Sequence, residues 1–332
     1  MVQIEYIWIG GKLELRSKTR ILTPRDFTNI SNIPNWNYDG SSTNQAAGID
    51  SEIVIIPRAI YPSPFVKNSY LVMCDTYTPS GVLGKCNHRY DAKLIFDKYL
   101  SSHPWYGIEQ EYFMFKPNET FPIGYDPNVT QGQYYCSVGT NNAFGRQLAE
   151  QHMDYCIKAG LTISGINSEV APGQWEFQIG PVEGIEACDQ LWIARYILEK
   201  LSEEHNIVIN YHPKPMKGDW NGSGCHVNFS TKEMRENNGL QIILNSMKSM
   251  EKNHQIHMAF YGEDNQERMS GLHETSDPNK FTFGIGDRTA SIRIPNETYN
   301  NNMGYFEDRR PAANMDPYQV CPLILKTVME KN

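Results

Sequence analysis

Residues Gly107–Phe115 read GIEQEYFMF, and this stretch decides how the chain is read. Ile108, Tyr112, Phe113, Met114 and Phe115 favour a strand. Side chains in a strand alternate faces with a period of two. Glu109 and Glu111 therefore share one face in an otherwise apolar run. Two half-buried neighbouring carboxylates repel each other and lose hydration. Their presence asks for a compensating positive charge.

Three further strand-like segments carry the same kind of residue. SEVAPGQWEFQ holds Glu169 and Glu176, GSGCHVNFS holds His226, and GYFEDRRPAAN holds Glu307, with Arg309 on the same face if extended. Any one alone is most simply a hydrogen-bonded structural residue. Together, the carboxylates and the imidazole fit divalent metal at neighbouring sites, and hard oxygen donors favour Mg²⁺ or Mn²⁺. Zinc is disfavoured, since no Cys/His ligand spacing occurs.

A second constellation is cationic: Arg268, Arg288, Arg293, Arg309 and Arg310. A single arginine is usually a surface ion pair, but guanidinium forks also grip carboxylate and phosphate oxygens. Metals plus arginines point to an anionic ligand such as nucleotide phosphates with an acidic substrate. There is no GxxxxGK[ST] loop, and GIGDRT is not a dinucleotide fingerprint.

The 332 residues allow one large or two unequal domains. A hydrophobic share of 40% and a charged share of 20% are ordinary for a globular enzyme. A net charge of -8 without a basic run argues against nucleic acid as a partner. The N-terminus shows no basic leader followed by an apolar core, and no apolar run is long enough to span a membrane. The 7 cysteines are scattered and never spaced as CxxC, which reads as reduced thiols in a cytoplasmic protein.

The first 80 or so residues read as strands and turns, with a hairpin at Gly10-Gly11 and a loop over Asn35–Gly48. Helical spacing appears over NHRYDAKLIFDKYLS, NAFGRQLAEQHMDYCIKAG with Gly160 as C-cap, EACDQLWIARYILEKLSEEHN, and NNGLQIILNSMKSMEKNHQIHMAFYG. The expectation is an α+β protein, with a small β-rich domain over residues 1–82 and a larger α+β domain over residues 83–332.

WNYDGSST, HPWYGIEQEY, GQWEFQIGP, GDWNGSGCHVNFSTKEMR, LHETS, RTASIRIP and GYFEDRRPAANMDPY, collinear from about Glu5 to about Thr327, resemble the signature segments of glutamine synthetase, eukaryotic-type (type II) branch. The chain ends are short against that branch. The resemblance implies a β-grasp N-terminal domain and a catalytic domain built on a curved antiparallel sheet flanked by helices. It implies ligation of ammonia to L-glutamate with ATP as co-substrate, through γ-glutamyl phosphate. It also implies two or three Mg²⁺ (or Mn²⁺) ions per site and pentameric rings paired as a decamer.

By the same resemblance, Glu111, Glu169 and Glu176 hold one metal, and Glu109, His226 and Glu307 another. Asn221, Gly222, His226 and Arg268 bind glutamate. Arg288, Arg293 and Arg309 bind glutamate or neutralise the transferring phosphate. Glu274 is the flap base, and Asp39 assists ammonium from a neighbouring subunit. Trp105, Asn228, Ser230, Arg235, Arg293 and Tyr305 lie on the nucleotide side. The alternatives are a glutamate ligase for another amine, a non-catalytic structural ring protein, and a two-metal phosphohydrolase.

Overall fold

Strand alternation seen in the sequence becomes two separate sheets in the computed structural model, which describes residues 1–330. The chain divides into two compact units. One comprises Met1–Leu94 with Tyr155–Leu161, the other Ile95–Asp154 with Thr162 onward.

The first unit is β-rich. Its strands are β1 (Val2–Ile9), β2 (Leu15–Leu22), β3 (Trp36–Asp39), β4 (Glu52–Pro62) and β5 (Tyr70–Tyr77), in the order β2-β1-β5-β4-β3. The central β1 and β5 run parallel and the other pairs antiparallel. Ile4, Tyr6 and Trp8 alternate along β1 and point into one core with Phe27, Ile55 and Val72. Burial of these side chains at about 25 cal/mol per Å² is what holds the sheet face. Trp8 stacks on Tyr38 at 4.3 Å between ring centroids. The segment expected as a plain loop, Asn35–Gly48, thus contributes a short edge strand, because Trp36 and Tyr38 have an apolar face to cover them.

The second unit carries the curved sheet of the mixed α/β body. Its strands are β6 (Trp105–Phe115), β7 (Ile163–Ser168), β8 (Gln174–Glu183), β9 (Val208–Asn210), β10 (Cys225–Ser230), β11 (Phe283–Ile285), β12 (Ile292–Ile294) and β13 (Phe306–Asp308). They run in the order β11-β12-β13-β10-β6-β8-β7, with β9 also on β6. The pairs are antiparallel except β11 with β12. Opposite Gly107 the register of β8 shifts, so that Gly180 and Pro181 bulge.

The helices are α1 (His88–Lys98), α2 (Arg146–Lys158), α3 (Ile185–His205), α4 (Gly239–Lys252), α5 (His254–Phe260), α6 (Asn296–Asn301) and α7 (Pro317–Met329). Helix α3 is the hub: Leu191, Ile193, Ala194, Ile197, Leu198 and Leu201 are all fully buried, and it packs on β8, β6, β9 and α7. It ends at Asn206 in the left-handed conformation (φ 52°), which caps the last turn.

Three details depart from the sequence reading. The stretch expected as one helix over 237–262 is two, α4 and α5, broken at Asn253, whose side-chain amide donates back to Ser249 O at 2.8 Å. Helix α7, hidden in the sequence by Pro317 and Pro322, forms with Asp316 as its N-cap and Pro317 at its first turn. Glu169 lies just past the end of β7 instead of within a strand.

Candidate active site

Strand register builds the site. Glu111 pairs with Glu176 and Glu109 with Gln178 across β6 and β8. His226 lies opposite Glu109 across β10 and β6. Asn228 lies opposite Glu307 and Arg293 opposite Glu307, and Asn167 opposite Glu176. Residues scattered over more than 180 positions are thereby lined up across one sheet, because paired residues of adjacent strands lie about 5 Å apart.

They face a cavity of about 420 Å³. Its wall holds Glu109, Glu111, Glu169, Glu176 and His226, the arginines Arg268, Arg288, Arg293 and Arg309, and Asn221, Gly222 and Glu274. Glu307 is fully buried behind this wall. All of these residues belong to the second unit.

The carboxylates fall into two groups with different support. Glu307 is gripped by Arg293 Nε, by Arg309 at 2.7 Å and by His226 Nδ1 at 3.4 Å. Glu109, His226 and Glu307 bring one ligand atom each within 4.8 Å of one another, the spacing of a cation site. Two carboxylates and an imidazole are a donor set that suits Mg²⁺ or Mn²⁺. Burial would raise the Glu109 carboxyl, but the His226 and Asn228 hydrogen bonds and the Arg309 charge outweigh it and bring it to about 2.

Among the described residues, no arginine is in hydrogen-bond contact with Glu111, Glu169 or Glu176. Glu111 accepts from Gly224 N at 2.9 Å and from Gln174 at 3.1 Å. Burial, then the charge of Glu111, pushes Glu169 up to about 8. Glu176 is raised as well, by burial and then by Glu109 and Glu111. A divalent cation beside Glu169 and Glu176 would favour their charged forms and oppose these upward shifts. Among the described residues Glu111, Glu169 and Glu176 do not converge as closely as the other set.

Gly222 is set by space. A Cβ there would come within 2.5 Å of Pro213 O and closer still to Arg268, so only glycine allows this backbone approach. Arg268 spends one guanidinium nitrogen on the carbonyls of Arg309, Arg310 and Pro311, which fixes the chain leaving β13. His273 and Glu274 both sit at positive φ (52° and 59°), a costly backbone for such residues and a usual mark of a functional loop. Glu274 is exposed, and its carbonyl accepts from Arg309 at 3.4 Å.

A second cavity of about 400 Å³ lies on the same sheet and is lined by Trp105, Asn228, Ser230, Arg235 and Tyr305, with Gly107 and the bulged Gly180 and Pro181. Arg235 stacks over Trp105 at 3.9 Å and donates to Ser230 Oγ at 2.9 Å. Trp105 is 40% exposed and Tyr305 37%, open aromatic faces beside a groove. Asn228 Nδ2 donates to Glu109 at 2.7 Å, while its Oδ1 is buried and accepts nothing among the described residues. Of the residues expected on the nucleotide side, Trp105, Asn228, Ser230, Arg235 and Tyr305 line this cavity, while Arg293 lines the charged one. Asp39 lies in the first unit, exposed, where it caps a turn by accepting from Ser41 and Ser42. Those bonds, Ser41 first, hold its carboxyl down at about 2.

Residues 88–256 match the family described as "Glutamine synthetase, catalytic domain". The chain is 57% identical to a glutamine-synthetase-like protein of Acanthamoeba polyphaga mimivirus over 99% of its length and 94% of the relative. It is 49% identical to the Arabidopsis thaliana protein named glutamine synthetase cytosolic isozyme 1-3, covering 98% of this chain and 94% of that one. It is 50% identical to the glutamine synthetase cytosolic isozyme of Medicago sativa, at 98% and 93% coverage. The chain belongs to the glutamine synthetase family. The eukaryotic-type branch fits these relatives.

A glutamine synthetase is a ligase working with ATP and divalent metal, and both cavities have the chemistry for those ligands. Beyond the residues expected from the sequence, Asn167, Gln178 and His273 line the charged cavity, and Gln131 bonds to two of its lining residues. Gln131 binds the Asn221 backbone at 2.6 Å, its side chain at 2.9 Å and His273 Nδ1 at 2.9 Å. Neutral amides give no charge signal in a sequence, and only their position opposite the glutamates on β7 and β8 could have flagged Asn167 and Gln178. All 7 cysteines are free thiols, and no helix among the described residues is long and apolar enough to cross a membrane.

Proposed function

We propose that this chain joins ammonia to L-glutamate at the charged cavity, using ATP bound with its base in the aromatic cavity, through γ-glutamyl phosphate. The observation that carries this reading is the strand register that sets carboxylates, imidazole and arginines around one cavity adjoining an aromatic one. Glutamine formation is the activity of the family. The division of labour that follows is our own reading.

Glu111, Glu169 and Glu176 hold one divalent cation, and Glu109, His226 and Glu307 hold another. When bound, such cations supply Lewis-acid charge against the triphosphate. Asn221, Gly222 and Arg268 orient glutamate so that its side-chain carboxylate points at the transferring phosphoryl group. Arg288, Arg293 and Arg309 balance the charge that develops on the phosphoryl oxygens, and positioning with charge balance does most of the work in such a transfer. Glu274 then takes a proton from ammonium, and its loop keeps water from the acyl phosphate.

Residues 1–82 and 83–332 serve as the functional domains. Asp39 of one subunit completes the cavity of the next in a pentameric ring, with two rings forming a decamer in the cytoplasm. A fully active monomer by light scattering would overturn that arrangement. The activity is tested by product analysis with ATP, Mg²⁺ and glutamate, in parallel with ammonia, ethanolamine and a polyamine. Glutamine from ammonia alone is expected. A γ-glutamyl adduct of another amine as the main product would replace this reading.

A further inference from the structure

Glu169 and Glu176 are joined by a string of two neutral carboxamides. Asn167 Nδ2 donates to Glu169 Oε1 at 2.9 Å. Gln178 Nε2 donates to Glu176 Oε1 at 2.6 Å and to Asn167 Oδ1 at 3.2 Å. The string runs across β7 and β8, where Gly165 is paired with Gln178 and Asn167 with Glu176. Both amides line the charged cavity.

The choice of an amide has a physical consequence. Glu307, held by two guanidinium groups, is neutralised as it is oriented. A carboxamide orients a carboxylate without removing its charge, so the oxygen keeps its full attraction for a cation. Gly165 adds an independent observation. Its backbone is not in the left-handed region, yet a Cβ there would lie 2.7 Å from Gln178 Oε1. Glycine at this position leaves room for the amide.

We propose that the Asn167–Gln178 pair is a positioning device that sets the separation of Glu169 and Glu176 and so the affinity and size preference for the cation they hold. The inference rests on the reading of Glu169 and Glu176 as cation ligands given above.

The test is equilibrium Mn²⁺ binding to the full-length protein, followed by electron paramagnetic resonance of free Mn²⁺. Gln178→Met keeps the side-chain length and loses the donor. Gly165→Ala keeps every donor and displaces the amide. Each should weaken the tightest Mn²⁺ binding by about 10–100-fold, the usual effect of losing a partner behind a metal ligand. Each should also raise the Mg²⁺ concentration for half-maximal activity. A purely structural role would lower kcat or the melting temperature and leave Mn²⁺ affinity alone. Unchanged Mn²⁺ affinity in Gly165→Ala, or in Gln178→Met where that variant folds, overturns the proposal. Wild-type protein that binds no Mn²⁺ overturns the cation reading beneath it.

Discussion

The two cavities have nearly the same volume, about 420 and 400 Å³, and opposite chemistry, yet one face of the same two strands builds both. Along β6, Trp105, Tyr106 and Gly107 line the aromatic cavity and Glu109 and Glu111 the charged one, while Ile108 and Gln110 are buried and line neither. Along β10, Ser230 and Asn228 face the former and His226 the latter. A gradient from apolar to ionic is thus written in alternate residues, and Asn228, bonded to Glu109, stands at the junction. The lesson is that a strand can change chemistry along its length without leaving one face.

The comparison is broken most severely at the ionic end. Glu111→Ala should remove essentially all ligase activity, a loss of ~100-fold or more, together with response to Mg²⁺. Activity assayed across Mg²⁺ concentrations checks it, and unchanged turnover would mean that this end is only structural.

Glu274→Ala should lose most glutamine formation and still phosphorylate glutamate, because the role proposed for it follows phosphoryl transfer. Phosphate released per glutamine made should rise well above one. A ratio near one with normal turnover would make Glu274 an ordinary loop residue.

At the aromatic end the effect is smaller and specific. Trp105→Ala should raise KM for ATP about 10-fold, in line with the 1–3 kcal/mol of a stacked base, and leave KM for glutamate unchanged. Equal shifts in both constants would merge the two cavities into one functional unit.

Smallest is a pH effect that belongs to the scaffold behind both cavities. His152, buried with Nε2 2.9 Å from Ala194 O, is pushed down to about 4 by burial. The unfolded histidine binds its proton near pH 6.5 and the folded one only near 4, so stability present above 6.5 is lost as pH falls through that window. The full loss is on the order of 3 kcal/mol. Thermal melts of wild type and His152→Gln between pH 7 and 4 should differ in slope. Identical slopes would assign acid sensitivity elsewhere.

Much of this was legible in the sequence, and the reasons differ by residue. GIEQEYFMF announced its strand and its shared face because charge interrupts an apolar run at a period of two. Arg293 was legible as charge but not as a partner, since its pairing to Glu307 depends on β12 lying beside β13, whereas Arg309, two residues from Glu307, was expected on the same face. Glu169 was expected in a strand, but a turn between β7 and β8 places it. Helix α7 was missed because proline within a helix removes a hydrogen-bond donor and reads as a breaker, whereas Pro322 is accepted inside a buried helix. Gln131, Asn167 and Gln178 left no trace, because an amide that orients a carboxylate looks in sequence like any polar surface residue.

The face of β6 from Trp105 to Glu111 also works as a gauge of ligand length. Six residues of strand span about 20 Å, so a bare nucleoside can engage the tryptophan without reaching the glutamates. The same geometry limits how the gene can change. One codon inserted between Gly107 and Glu109 would turn both glutamates into the core and Gln110 toward the cavity. Two codons would restore the chemistry and stretch the gauge. Strand β6 can therefore change length only in even steps, and any such step would alter which phosphorylated ligand bridges its ends.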